Sequence, residues 1–180
     1  MAVRCVVTGQ TKDGRSVIVA DNQVEPVTVS LLPGAEFHRL WGSDTAPTLP
    51  TDGTPPRQSG YFPPVGGYRF AFFTLAPDSV TMPADLDLDA ALTELGQKLP
   101  GLADAMEPDH PGMHTTDTVD LDLVISGEIW LELDDEAEVR LRAGDAVVQN
   151  GTRHAWRNRS SEPAVIFVTL LGAARGPAEP

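Results

Sequence analysis

Three of the chain's four histidines, His110, His114 and His154, lie in or just before one stretch, residues 114–158. Neutral imidazole nitrogens and carboxylate oxygens are donors that first-row divalent metals accept. The same groups move protons when no metal holds them. His114 is followed by Thr116, Asp117, Asp120 and Asp122, which supply one half of such a site with three alternative carboxylates. The other half is RHAWRN, residues 153–158. On an expected strand, His154, Trp156 and Asn158 share one face, and Arg153, Ala155 and Arg157 share the other. A histidine beside an aromatic residue on an inward face suits a pocket wall, and Asn158 suits a turn.

The elements that must position these groups are strands. Leu121, Leu123 and Ile125 alternate with Asp120, Asp122 and Val124, and Ile129, Leu131 and Leu133 alternate with Trp130, Glu132 and Asp134. Val139 and Leu141 repeat the pattern before the turn signal Ala143-Gly144-Asp145, and residues 146–149, 153–158 and 164–171 complete the series. Closely spaced short strands favour an antiparallel sandwich or double-sheet barrel. No train of strands alternating with helices is present, which excludes a doubly wound sheet.

Upstream, residues 2–8 and 15–20 flank GQTKDG as a hairpin, and residues 27–32, 37–41 and 68–76 read as further strands. Residues 42–67 are dense in proline and glycine and form a long loop that wraps the barrel, crosses a dimer interface or covers a pocket. Leu88, Ala91, Leu92, Leu95 and Leu99 form a helical stripe over 87–99, ended by Pro100-Gly101, and a short turn follows at 102–107. This helix is expected to pack outside the sheet.

The chain has 180 residues, 41% hydrophobic and 22% charged, as expected of one domain with elaborations. A net charge of -13 argues against nucleic acid or an anionic membrane as partner. The single cysteine allows no intrachain disulfide, and a reducing cytoplasm is the expected compartment. The N-terminus reads as a first strand rather than a signal peptide. No apolar run is long enough to cross a bilayer, and the last residues, ARGPAEP, read as a loose tail.

Two motifs carry a family resemblance. Residues 111–120, PGMHTTDTVD, followed by Ser126-Gly127, and Gly144-Asp145 with residues 151–158, GTRHAWRN, resemble the first and second motifs of the cupin superfamily. The resemblance covers residues 110–171 of one cupin-like domain over 1–180. It implies an all-β fold, a double-stranded β-helix or jelly-roll barrel, here with an N-terminal strand extension, a short helical insert and the peripheral loop at 42–67. It also implies a divalent metal, Zn, Fe, Mn or Ni, held by His114, His154 and Asp120, the last standing where the family usually has glutamate. Thr116 stands where a second histidine normally binds the metal, and a neutral hydroxyl is a much poorer ligand.

The resemblance extends to function. It implies a metal-dependent small-molecule lyase, a decarboxylase or dehydratase acting on an oxygenated or polyketide-derived metabolite. Asp117, Asp120 and His154 are its catalytic candidates. Arg69 and Arg153 would receive an acidic substrate, and Tyr68, Trp130 and Trp156 would shape the apolar walls. The alternatives are a non-haem iron dioxygenase, an isomerase or cyclase, and a noncatalytic ligand-binding cupin. A homodimer is expected, with residues 1–20 as the first candidate contact.

Overall fold

A computed structural model describes residues 2–176. Among the described residues ten strands form three antiparallel sheets: β1 (Val3–Gln10) with β2 (Ser16–Val24), a five-stranded sheet and a three-stranded sheet. The five-stranded sheet has the order β3 (Glu36–Ser43), β4 (Tyr68–Leu75), β10 (Ala164–Gly172), β5 (Thr118–Ser126) and β8 (Ala146–Asn150). In the smaller sheet β6 (Glu128–Glu132) lies between β7 (Glu138–Arg142) and β9 (Ala155–Arg157). These are the two walls of a jelly-roll barrel. One cluster, Val124, Ile129, Leu131, Leu141, Ala164 and Ile166, joins the walls. Gly127 makes the turn from β5 to β6 at φ +75, and a Cβ there would lie 2.8 Å from the Pro163 carbonyl oxygen.

The alternation in β5 resolves against the usual sense. Thr118, Asp120, Asp122 and Val124 are buried, whereas Leu121 is 48% and Ile125 40% exposed. Leu121 and Ile125 face outward, whereas the two acids and Val124 face into the barrel.

Residues 27–32, expected as a strand, do not form one. Only Val27 pairs, as a bridge to Phe37, and the chain then turns, with Leu32 donating to the Val29 carbonyl at 3.1 Å and Ala35 to Leu32 at 3.0 Å. Pro26 and Pro33 bracket the segment and offer no N–H to a ladder. Its side chains are used instead against the helix.

That helix, α1 (Leu88–Lys98), starts at Asp87, whose carboxylate accepts from Ala90 N–H at 3.0 Å. It does not sit outside the sheet as its stripe alone suggested. Leu95 and Leu99 pack with Val29, Ala35, Phe37 and Leu102 in a second cluster. Glu94 accepts from Ser30 N–H at 2.9 Å, and Lys98 Nζ donates to the Thr28 carbonyl at 2.8 Å, tying α1 to the segment before β3. Removing the cap with Asp87→Ala is expected to cost about 1 kcal/mol and lower Tm by about 2–4 °C in calorimetry. Among the described residues no helix is long and apolar enough to cross a membrane.

The loop 42–67 is ordered and covers a pocket, one of its three expected uses. Arg69 holds it down, and it also docks on the end of β10, where Gly66 N–H donates to Gly172 at 3.0 Å. Only glycine fits at 172, since a Cβ would sit 1.8 Å from the Pro64 carbonyl oxygen.

Candidate functional site

Between the two hydrophobic clusters the barrel holds a cavity of about 430 Å³. Its walls come from the five-stranded sheet, the smaller sheet, the loop and the helix: Phe37 on β3, Phe73 on β4, Trp156 on β9, Tyr61 and Phe62 from the loop, and Leu92 and Leu95 on α1. Into this apolar space project His114, Thr116, Asp120, Asp122 and His154.

The two histidines meet because their backbones pair. His114 and His154 form an antiparallel bridge with two N–H···O bonds of 2.9 Å, which brings the rings to 4.1 Å between centroids. Each Nδ1 lies against a backbone carbonyl, Gly112 at 3.0 Å for His114 and Thr152 at 2.9 Å for His154. A carbonyl can only accept, so Nδ1 carries the hydrogen and Nε2 is left as the basic nitrogen of each ring. Burial pushes the His114 imidazolium below its ordinary value. Burial, reinforced by His114, takes His154 down to about 4. Both rings are neutral at pH 7.

The carboxyls shift the opposite way. Burial raises Asp120 to about 6, although a hydrogen bond from Thr118 pulls it back. Burial and then the charge of Asp120 raise Asp122 to about 7. Asp120 Oδ1 is buried without a hydrogen-bond partner.

The donor set meets the needs of a metal centre only in part. The two Nε2 atoms suit one, and their Nδ1–carbonyl bonds are the usual support for a liganding imidazole. The third donor fails: among the described residues no group of three or more His, Cys, Asp or Glu side chains is placed to hold a metal ion. Thr116, at the place of a further histidine, spends its hydroxyl on Thr118 at 2.8 Å. The residues present do not fit a three-ligand metal site.

The remaining sequence candidates fall elsewhere. Asp117 points away from the cavity, with a 63% exposed side chain paired to Arg175, because Thr116 and Thr118 on either side take the inward positions. Arg69 is 3% exposed and donates to the Ser43, Tyr68 and Gly60 carbonyls and to Asp44 at 2.6 Å. It is a clamp for the loop, with no free donor aimed at the cavity. Arg153 is bound to Glu107 through two bonds of 2.7 Å and to Asp134 at 2.8 Å. Trp130 lies on the face of β6 opposite the buried Ile129 and Leu131, under the Arg140 guanidinium at 5.2 Å. Tyr68 packs against Phe70 on the other face of β4 from Phe73. Asn158 serves a turn, donating to Leu75 and Glu162 carbonyls at 3.0 and 2.8 Å.

Only Trp156 of the five expected substrate contacts lines the cavity. Sequence reasoning offered Asp122 only as one of three alternative carboxylates and did not single out Phe37, Tyr61, Phe73 or Leu95 as walls. The aromatic richness of β4 and the leucine stripe of α1 were the available signals, and both were read as packing.

The family model described as Cupin domain matches residues 105–170. The Oryzines biosynthesis cluster protein J of Aspergillus oryzae is 36% identical over 145 residues, covering 72% of this chain and 80% of that protein. The Phomopsin biosynthesis cluster protein C' of Diaporthe leptostromiformis is 36% identical over 113 residues, 54% of this chain, and the match spans 60% of that relative's length. Among solved structures, the cupin domain of Schizosaccharomyces pombe Cnp3 is 9% identical with a TM-score of 0.47, covering 95% of this chain and 87% of that one. With the paired histidine motifs closing one barrel cavity and a relative of this identity matched over most of its length, the chain belongs to the cupin superfamily.

Proposed function

We propose that this cupin is a small-molecule lyase of secondary metabolism, a dehydratase or decarboxylase that works by proton transfer inside the barrel. The observation that carries the reading is the convergence of two buried carboxyls and two neutral imidazoles on one apolar cavity. Two kinds of titratable group pushed apart by their surroundings supply an acid and a base at the same pH. In dehydration, His154 Nε2 takes the proton from the carbon next to the alcohol carbon. Asp122 gives its proton to the departing hydroxyl, the C–O bond breaks, and alkene and water form. The proton on His154 then returns to Asp122 through solvent. In decarboxylation the C–C bond breaks with loss of carbon dioxide, and Asp122 protonates the carbon left behind. The relatives' names, which belong to phomopsin and oryzine biosynthesis clusters, support a secondary-metabolite substrate.

The test is turnover of a panel of hydroxylated and carboxylated polyketide-type compounds, read by product mass. Loss of water or carbon dioxide that continues without oxygen and after exhaustive chelation is the expected result. Oxygen consumption coupled to product would establish an oxygenase instead, and an unchanged product mass would establish an isomerase or cyclase.

A homodimer belongs to the same reading. The β1–β2 hairpin is a two-stranded sheet with Ile18 68% exposed, and such a hairpin is marginal without further cover. A second copy supplies that cover. Light scattering is expected to give twice the chain mass, falling to one chain in Ile18→Asp. A monomer for the unaltered chain across the working concentration range would refute it.

A further inference from the structure

Four strands of the large sheet, β4, β10, β5 and β8, carry their charges on the wrong side for a solvated sheet. Their charged residues are Arg69, Asp120 and Asp122, and all three are buried on the inner side. The outward positions of the same strands carry no charge, in a chain that is 22% charged. They are apolar instead. Val119 is 37%, Leu121 48%, Val148 62% and Leu171 49% exposed.

These residues form one patch, because strand pairing sets them side by side. Leu121 stands between Val148 on β8 and Thr169 on β10, and Val119 stands beside Leu171. Phe167 lies between Leu123 and Phe72, whose ring it meets at 5.3 Å. An antiparallel sheet with one face on its core normally turns polar residues to water on the other. An outer face this apolar marks a contact surface. The free edge of β8, the last strand of the sheet, also has no lysine or proline to block an approach.

The net charge of -13 limits what covers this face. Two acidic copies repel each other, least where neither carries charge, and a flat apolar face is complementary to itself about a two-fold axis. Four strands about 4.8 Å apart and three outward rows about 6.8 Å apart offer roughly 400 Å². A stable pair needs about 800 Å² from each partner, so the face supplies about half.

We propose that the outer face of the five-stranded sheet is the surface on which a second copy of this chain sits, sheet against sheet. The proposal rests on the homodimer reading and deepens it. A two-fold axis along the strands sets β8 of one copy against β3 of the other, where the β1–β2 hairpin that touches β3 reaches the free edge of β8. The sheet face and the hairpin then form one interface.

The test is sedimentation velocity over a dilution series of the full chain and of Leu121→Lys, Val148→Lys, Leu88→Lys and Ile18→Asp. Lysine lowers the net negative charge, so weaker pairing in the face variants cannot come from added repulsion between copies. Leu121→Lys is expected to raise the dimer Kd at least ~100-fold, since the pair would bury a lone ammonium. Val148→Lys gives the same comparison if the Leu121 variant does not fold. Leu88→Lys, at an exposed leucine on α1, should pair as the unaltered chain does. Unchanged pairing in the folded face variants, with pairing lost in Ile18→Asp, would overturn this surface and leave the homodimer on its hairpin. Equal loss in Leu88→Lys would also overturn it. A single chain at every concentration would overturn both readings, and flotation with phosphatidylcholine vesicles would then decide between a lipid surface and another protein as the occupant.

Discussion

Asp122→Asn is expected to abolish most turnover and, at about pH 8, to make the protein more stable. The two effects share one cause. Asp122 is 4% exposed, and burial with Asp120 nearby lifts its carboxyl from 3.8 to about 7. Above pH 7 the folded protein therefore holds a charge that burial disfavours. The sign follows from a raised carboxyl. The penalty is absent below the unfolded value near 4, grows as pH rises from about 4 to about 7, and is constant beyond. An amide carries no charge at any of these pH values. Allowing for one imperfectly bonded amide, the gain at pH 8 is roughly 2–3 kcal/mol, or about 4–12 °C in Tm, and it vanishes near pH 4. Loss of the general acid should lower turnover by about 10²–10⁴. Thermal melts at the two pH values together with product assays decide it. Full activity, or a variant less stable than the parent at pH 8, would show that Asp122 is an ordinary buried polar residue.

His154 sets the acid side. Its folded value, about 4, lies below the ordinary 6.5, so its penalty appears as pH falls from about 6.5 to about 4. His154→Gln should flatten that limb of the stability profile. The site thus stores instability on both sides of neutrality, a cost that a purely structural core would not carry.

The second large effect is on the loop. Arg69→Met should destabilise the protein by roughly 3–5 kcal/mol, because Asp44 then keeps a charge without its partner and the Ser43 and Gly60 carbonyls lose their donor. Residues 42–67 should become the first site of limited proteolysis. Tyr61 and Phe62 leave the cavity wall with them, so ligand binding should weaken as well. Arg69→Lys should rescue little, since an ammonium cannot bridge several acceptors in the plane that the guanidinium spans. Unchanged melting and an uncut loop in Arg69→Met would show that the loop is held by its apolar contacts alone.

Much of the architecture was legible in the chain. The hairpin at the N-terminus, the aromatic strand before residue 76, the capped helix and the run of short strands after residue 118 all appear where period and turn chemistry put them. The meeting of His114 with His154 was legible too, because each sits in its own motif at a barrel strand. Residues 27–32 misled because β-prone side chains between two prolines look like a strand locally, and only the nearby helix shows that Val29 is needed elsewhere.

The partners of the arginines were beyond reach of the sequence. Arg69 and Arg153 find their carboxylates 25 and 46 residues away, and nothing local distinguishes a clamp from a substrate anchor. The same limit governs the metal reading, since residue types name possible donors but only three-dimensional placement decides whether their atoms converge.

The two faces of β5 follow from the sequence alone, because a strand repeats every two residues whatever surrounds it. Which face turns inward does not follow. Hydrophobic patterning favours Leu121, Leu123 and Ile125 inside, yet the pairing of β5 with β8 and β10 in the curved sheet points Asp120 and Asp122 at the cavity. Alternation is a local property of the backbone, whereas burial belongs to the closed barrel, and there the second sheet and α1 decide which side is roofed.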